Sequence, residues 1–249
     1  MSSVIQVSQV YYPESDGKPM GETDDHRKEM IRHIEMLEDY YRGQKVYVSG
    51  NLLVYYVQGD PRTFVVPDAF VAKGIPRGNR RTYKVWVEGK TPDVIIETTS
   101  RKTRRTDTRD KPQLYARLGV KEYFLFDPHG EYLDPPLQGY RLAGDGYERI
   151  VPDADGALDS QELELRLRIA GKHLDFVRWD TGERLLTRTS QVQREAEARQ
   201  REAEARQREA QARQREAERA DREAAARQAA EAEMARLRDE LARLRRLAE

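Results

Sequence analysis

The amino-acid composition changes abruptly near Gln191, and this break limits how much of the 249-residue chain can fold around a core. From residue 193 to residue 233 only Ala, Arg, Glu, Gln and Asp occur. A segment without large apolar side chains cannot build a globular core. The remaining stretch of about 190 residues is enough for one domain. We therefore predict an N-terminal extension over residues 1–20, a globular domain over residues 21–190 and a charged helix over residues 191–249.

The segment after Gln191 repeats with a period of seven residues. The sequence Gln-Arg-Glu-Ala-Glu-Ala-Arg occupies residues 193–199 and again residues 200–206. It places glutamate four residues before arginine, at Glu195 and Arg199 and at Glu197 and Arg201, a spacing that stabilises a helix. The repeat offers only Ala and Gln as a seam for a second helix. Apolar residues spaced alternately by three and four occur only at the end, at Met234, Leu237, Leu241, Leu244 and Ala248. A coiled coil over residues 234–249, which would make the chain a homo-oligomer, and a single extended helix both agree with this pattern.

The overall charge of the chain excludes a global basic field. The 44 Lys and Arg residues balance 44 Asp and Glu residues, so any nucleic-acid binding must use a local basic patch. The absence of cysteine excludes disulfides and thiolate metal sites. The first residues lack the basic and apolar regions of a signal peptide, and no apolar run approaches the roughly 20 residues that span a membrane. We expect a soluble cytoplasmic protein without a membrane partner.

The order of predicted elements indicates an α/β fold. A first helix should begin after Thr23 and end near Gly43, and a second should cover about residues 110–118, since Pro112 is tolerated only in a first turn. One or two strands are predicted over residues 45–58, and one strand each at residues 64–72, 93–100 and 121–127. β-Hairpins follow Pro128. This order predicts a mixed sheet flanked by helices, with added β-hairpins and the long C-terminal helix.

Two of the predicted strands each deliver a carboxylate. Asp68 follows Val65-Val66-Pro67, and Glu97 ends the run Pro92-Asp93-Val94-Ile95-Ile96-Glu97. An acid in such an apolar run needs a cation, a metal or hydrogen-bond donors when it is buried. Carboxylate oxygens are ligands that suit Mg²⁺ or Mn²⁺. Asp68 and Glu97 are therefore predicted metal ligands of a site that hydrolyses phosphodiester bonds, in which the metal would activate a water molecule.

Lys111 supplies a cation that could complete such a site. On the predicted second helix it shares a face with Leu114, Tyr115 and Leu118, so its side chain should point toward the sheet. An ammonium group there could stabilise the negative charge that builds up on the phosphate. The alternative is a purely structural ion pair between Glu97 and Lys111.

Three further residues are predicted to support this site. Asp93 and Thr99 share a strand face with Glu97, and His26 opens the first helix, from which it could approach. We expect the other histidines, His33, His129 and His173, to be exposed.

A basic run follows the second acid directly. Its members that could contact a DNA backbone are Arg101, Lys102, Arg104 and Arg105. Contacts with phosphates position a nucleic acid without reading its sequence. The alternative is a loop whose charges are only solvated.

Taken together, these motifs resemble the PD-(D/E)XK nuclease superfamily, and within it the Uma-type restriction endonuclease family. The resemblance covers roughly residues 20–190 and lies in Pro67-Asp68, the run from Pro92 to Glu97, Lys111 and the segment Glu122-Tyr123-Phe124-Leu125-Phe126-Asp127-Pro128. It implies a divalent-metal-dependent endodeoxyribonuclease with Asp68 and Glu97 as metal ligands. The superfamily signature has lysine two residues after the second acid, where this chain has Thr99. Uma-type members resemble a subgroup in which the lysine comes from the following helix, which fits Lys111.

The sequence thus supports two hypotheses about function. The first is an Mg²⁺- or Mn²⁺-dependent endonuclease that acts on DNA through Asp68, Glu97 and Lys111. The alternative is a catalytically inactive nuclease-fold protein that binds a partner and assembles through its C-terminal coil.

Overall fold

A computed structural model describes residues 10–17 and 23–247 of the chain, with side chains of the last helix as far as residue 238. The chain divides into two compact units, Met1–Arg188 and Thr189–Glu249. The helices are α1 (Asp24–Tyr40), α2 (Val85–Glu88), α3 (Lys111–Arg117) and α4 (Arg188–Leu247). The strands are β1 (Val46–Ser49), β2 (Val54–Tyr55), β3 (Phe64–Val65), β4 (Ala69–Lys73), β5 (Tyr83–Lys84), β6 (Val94–Thr98), β7 (Glu122–Phe126), β8 (Leu137–Ala143), β9 (Gly146–Arg149), β10 (Leu158–Ser160), β11 (Leu165–Ala170) and β12 (His173–Arg178).

A six-stranded mixed sheet forms the centre of the first unit, and this confirms the predicted α/β class. Its order is β1-β4-β6-β7-β8-β9. Strands β6 and β7 are parallel and are connected through α3, whereas the other neighbours in the sheet pair antiparallel. Two three-stranded sheets, β3-β2-β5 and β10-β11-β12, are added to it. A parallel pair needs a crossover, and that crossover places α3 directly against β6.

The residues of β6 alternate between the two faces of the central sheet. Val94 and Ile96 belong to the core shared with α1 and the β10–β12 sheet. Ile95 belongs to the opposite core, which includes Tyr115 of α3. Because side chains alternate along a strand, Glu97 lies on the same side as Ile95, facing α3.

The predicted strand over residues 64–72 is wrong, because the chain breaks it into β3 and β4, which belong to different sheets. Pro67 has no N–H to contribute to a ladder. Its carbonyl oxygen accepts a hydrogen bond from the Asn51 N–H at 2.8 Å. Asp68 therefore lies on the connection between two sheets, immediately before β4.

The second helix begins earlier than the sequence predicts. The chain is already helical at Arg104, and a π-helical turn, Thr106–Asp110, leads into α3. In this turn the backbone N–H of Lys111 bonds to the Thr106 carbonyl oxygen, five residues back. Pro112 has no N–H, so it interrupts the regular helical ladder, and the wider turn carries the helix past it. As a result, part of the predicted basic loop is helical.

The described side chains of helix α4 are exposed except that of Gln191, which is half-buried. The predicted pairs are present, with Glu195 Oε2 at 3.6 Å from an Arg199 guanidinium nitrogen and Glu197 Oε2 at 3.7 Å from that of Arg201. Of the predicted seam, Met234 and Leu237 are 53% and 48% exposed. The side chains of Leu241, Leu244 and Ala248 lie outside the described residues, so coiled coil and single helix both remain predictions. Within residues 10–17 and 23–247, the structure holds no helix with the length and apolar character needed to cross a membrane.

Candidate active site

Glu97 lies at the centre of a buried polar cluster between β6 and α3. It is 0% exposed. Its Oε1 accepts hydrogen bonds from the Tyr115 hydroxyl and the Lys111 ammonium, both at 2.9 Å. Its Oε2 accepts the Asp68 backbone N–H at 3.3 Å. The predicted inward direction of Lys111 is thus what the structure shows.

The side chain of Asp68 also binds the backbone of β6. Its Oδ2 accepts the Thr98 backbone N–H at 2.8 Å and lies 3.1 Å from Nε2 of His26. His26 is in the first turn of α1, which Thr23 caps by accepting the His26 N–H. The structure therefore brings Asp68, Glu97, Lys111 and His26 together.

Gly50 packs directly against the Asp68 backbone. A Cβ atom at residue 50 would lie 1.9 Å from the Asp68 carbonyl oxygen and 2.7 Å from Cδ1 of Ile34. Two atoms cannot approach so closely, so a larger residue would displace the connection that carries Asp68. Glycine is required there for space.

Asp107 is a third carboxylate in this cluster, and it is not among the site residues predicted from the sequence. Its Oδ1 lies 2.9 Å from the Lys111 Nζ, and the residue is 1% exposed. Its position four residues before Lys111 would have indicated it, because residues at this spacing share one face of a helix. The helix was predicted to begin only at Asp110, so the spacing was not considered.

The cluster holds more negative than positive groups, and this affects each pKa. Burial raises the pKa of Glu97 to about 8; Lys111 opposes the rise, whereas Asp68 and Asp107 add to it. Burial would also raise the pKa of Asp68, but His26, Lys111 and the Thr98 N–H together hold it below its ordinary value. For Lys111, burial lowers the pKa, but the three carboxylates outweigh burial and raise it overall. A further cation would relieve this excess of negative charge.

A cleft of about 280 Å³ opens beside these residues. Its lining includes His26, Thr98 and Thr99, with Arg101 and Lys102. The hydroxyl groups of Thr98 and Thr99 are buried and form no hydrogen bond with the part of the chain that the structure describes. His26 lines the cleft and contacts Asp68, so the cleft lies next to the carboxylate cluster, although the carboxylates themselves do not line it.

Two members of the basic run, Arg101 and Lys102, line this cleft. The exposed members are Arg101, Lys102, Arg104 and Arg105. The first two belong to the turn after β6 and the last two begin the helix. Their contact with DNA remains a prediction.

The structure does not bring Asp93 to the site. Asp93 lies four residues before Glu97, about 13 Å along the strand. Its carboxylate contacts the ammonium groups of Lys90 at 2.6 Å and Lys121 at 3.1 Å. These partners explain its burial without a role in the site.

The expected exposure of His33 is wrong. His33 is fully buried, between the rings of Phe126 and Phe176, with Nε2 at 3.4 Å from the Glu29 carboxylate. Helix α1 packs against both the central sheet and β12. It therefore buries more of its circumference than a single apolar stripe predicts.

A family model with the description "Putative restriction endonuclease", Uma2, matches residues 15–170. The chain belongs to the Uma2 family. The match includes every member of the carboxylate cluster, from His26 to Tyr115. This places the chain in a family described as nucleases and confirms the resemblance seen in the sequence.

Among solved structures, the chain is similar to a crystal structure described as "a putative nuclease belonging to DUF820" from Anabaena variabilis ATCC 29413. The two are 18% identical, the similarity covers 59% of this chain and 76% of the other, and the TM-score is 0.44. No curated protein matches the chain.

The donor set of the cluster fits Mg²⁺ or Mn²⁺. Within residues 10–17 and 23–247, no three side chains of His, Cys, Asp or Glu form a metal-binding group. Mg²⁺ does not need one, because it keeps several waters and is bound by one or two carboxylates together with substrate phosphates. Asp68 and Glu97 provide two such carboxylates: the Asp68 N–H donates to Glu97 Oε2, and Asp68 Oδ2 accepts the N–H of Thr98, the residue after Glu97.

Proposed function

We propose that this chain is a divalent-metal-dependent endonuclease that hydrolyses phosphodiester bonds in DNA, with Asp68, Glu97 and Lys111 as its catalytic residues. The observation that supports this most is the Lys111 ammonium 2.9 Å from a buried glutamate that also accepts the Asp68 N–H. Three residues far apart in sequence meet at one point, next to an open cleft. Membership of the Uma2 family agrees with this chemistry.

Each side chain has a role that follows from its position. Asp68 and Glu97 would hold Mg²⁺ or Mn²⁺, which when bound lowers the pKa of a water and polarises a phosphoryl oxygen. Lys111 places a cation where negative charge increases on the phosphate in the transition state. Tyr115 fixes the orientation of Glu97, and His26 that of Asp68. Ligands held in this way need little rearrangement during the reaction.

The DNA would reach the site along the basic rim of the cleft. Arg101 and Lys102 line the cleft, and Arg104 and Arg105 are exposed on the following helical turn. Phosphate contacts from these residues would orient the strand without selecting a sequence.

The decisive experiment is DNA cleavage in Mg²⁺ or Mn²⁺ by the wild-type chain and by Asp68→Asn, Glu97→Gln and Lys111→Met. We expect the wild type to cleave DNA and each variant to cleave it about 100-fold more slowly or not at all, because a preorganised transition-state contact has been removed. Lys121→Met is a matched control, because Lys121 pairs with Asp93 and Glu162 away from the cluster. Circular dichroism checks that each variant is folded. No cleavage of any DNA in either metal, together with no metal binding by calorimetry, would contradict the proposal.

The exposed helix α4 favours a second candidate function. Its 60 residues add charge and length but no described buried side chain. A nuclease-fold protein that has lost catalysis and binds a partner, assembled through residues 234–249, would use such a helix. Retained partner binding with no cleavage would distinguish this function from the first.

A further inference from the structure

We propose that Asp107 is a positioning residue that holds the Lys111 ammonium between two carboxylates and so keeps Glu97 available to the metal. This inference rests on the proposed nuclease function and adds to it a residue that the sequence pattern did not indicate.

The geometry places the ammonium between two acids. The Lys111 Nζ is 2.9 Å from Glu97 Oε1 and 2.9 Å from Asp107 Oδ1. All three residues are largely removed from solvent, Glu97 and Asp107 almost completely. An ammonium has three donors, so one lysine can serve both carboxylates.

The carboxylate of Asp107 has no other described role. Apart from the contact of Oδ1 with the Lys111 Nζ, its buried oxygens have no hydrogen-bond partner in the part of the chain that the structure describes. The other residues of the turn, Thr106 and 108–110, are exposed. Burying an acid with a single lysine as its partner is unfavourable, so its position beside Lys111 needs a reason other than packing.

The turn itself is held in place through its backbone. The Tyr123 hydroxyl, from β7, donates to the Asp107 carbonyl oxygen at 2.9 Å. The π-helical turn is thereby fixed to the sheet without use of the Asp107 side chain. Turns of this kind occur often at functional sites.

Sharing the lysine has a consequence for the metal ligand. If Glu97 were the sole partner of Lys111, the ammonium would compete with a metal ion for the Glu97 oxygens. With Asp107 as a second partner, part of the ammonium's hydrogen-bonding capacity is directed away from Glu97, and the ammonium still lies beside the Glu97 carboxylate. Asp107 thus acts through Lys111 and contacts neither substrate nor metal.

Calorimetric titration with Mn²⁺ tests this in the full-length chain. Asp107→Asn, which removes the charge but keeps the size, should weaken Mn²⁺ binding by about 10- to 100-fold, the usual effect of losing a residue that orients a ligand. It should lower kcat for DNA cleavage to a similar extent and leave KM unchanged. Asp107→Glu, which retains the carboxylate, should recover part of both. Asp110→Asn is the control, because Asp110 is exposed on the same turn and makes no capping bond.

A double variant separates positioning from a general effect of charge. In a Lys111→Met background, Asp107→Asn should no longer change Mn²⁺ affinity, since the residue through which it acts is absent. Equal weakening with and without Lys111 would overturn the inference, as would unchanged affinity and kcat in Asp107→Asn alone. Failure of the wild type to bind Mn²⁺ or cleave DNA would overturn the proposed function as well, so the two failures are distinguishable. If Asp107→Asn does not fold, Asp107→Glu replaces it: its partial loss of Mn²⁺ affinity should be present with Lys111 and absent in the Lys111→Met background.

Discussion

At the scale of single residues, the buried Glu97 shows how a site can be unfavourable for the fold that contains it. The carboxylate lies among two other acids with one lysine as the nearby cation. Its pKa, raised by burial to about 8, means that ionising Glu97 is more difficult in the folded chain than in the unfolded one. Such a group lowers the stability of the fold, a cost that is common at catalytic sites and agrees with the proposed role of Glu97.

This leads to a prediction about pH and stability in the metal-free protein. A carboxyl group whose folded pKa is raised from 4.5 to about 8 loses stabilising free energy as pH rises through that interval. Glu97→Gln cannot ionise, so it should have a higher Tm than the wild type at pH 8 and a similar Tm near pH 4.5. A difference of 1 kcal/mol shifts Tm by roughly 2–4 °C in a domain of this size, which calorimetry resolves.

The opposite sign would support the alternative that Glu97 and Lys111 form a structural ion pair. If Glu97→Gln lowered Tm at pH 8, the attraction to Lys111 would outweigh the burial of charge.

The sequence was sufficient to predict that Glu97 and Lys111 face each other, but it did not reveal every buried polar residue around them. Alternation along β6 and the helical face of Lys111 placed Glu97 and Lys111 opposite each other, because both periods are fixed by backbone geometry. Asp107 could not be found in this way, since its position depends on a π-helical turn that propensities do not encode. His33 was missed because its burial is set by two packed surfaces at once.

At the scale of elements, the segment after β6 changes from turn to helix within the basic run. Arg101 and Lys102 remain in the turn at the cleft, whereas Arg104 and Arg105 are on the first helical residues. The basic run was predicted from the sequence, but the helix begins earlier than predicted. The charges of Arg104 and Arg105 are therefore held on a helical backbone and not on a loop.

We predict that removing these helical charges weakens DNA binding and reduces its dependence on salt. Each phosphate contact contributes about 0.9 to the slope of log K against log salt, so Arg104→Ala with Arg105→Ala should reduce the slope by roughly 2. Fluorescence anisotropy in a chelator, which prevents cleavage, measures the slope. Arg206→Ala with Arg213→Ala removes the same charge from α4, where each arginine pairs with a glutamate, and should have little effect. An unchanged slope in the first variant would indicate that the run is only solvated.

The broken strand at Pro67 shows a second limit of reasoning from sequence. Val65, Val66 and Phe70 favour an extended conformation on both sides of the break, and the structure has strands there. Which sheet each half joins depends on long-range pairing of β2 and β6, which a local pattern does not contain. The prediction that an acid lies near a strand end was nevertheless sufficient to place Asp68 close to Glu97.

At the scale of the whole molecule, the apolar core and the charged helix are separate parts of the chain. The buried hydrophobic residues that the structure describes extend from Met30 to Phe176, before α4 begins. We therefore predict that deleting residues 191–249 leaves the thermal transition of the remaining unit nearly unchanged. Differential scanning calorimetry of both forms tests this, and a large drop in Tm would contradict it.

The same deletion tests assembly. If residues 234–249 join copies of the chain, light scattering should show a lower stoichiometry for the shortened form. An unchanged stoichiometry would exclude assembly through the helix.

The composition of α4 also determines how this part of the chain can evolve. A helix of 60 residues is about 90 Å long, and one added or lost heptad changes its length by about 10 Å. Seven residues are close to two full turns, so such a change rotates the end of the helix by only about 20°. Since the described side chains of this helix from residue 192 onward are solvent-exposed, adding or removing a whole repeat would change the length of the helix and leave the core and the carboxylate cluster intact.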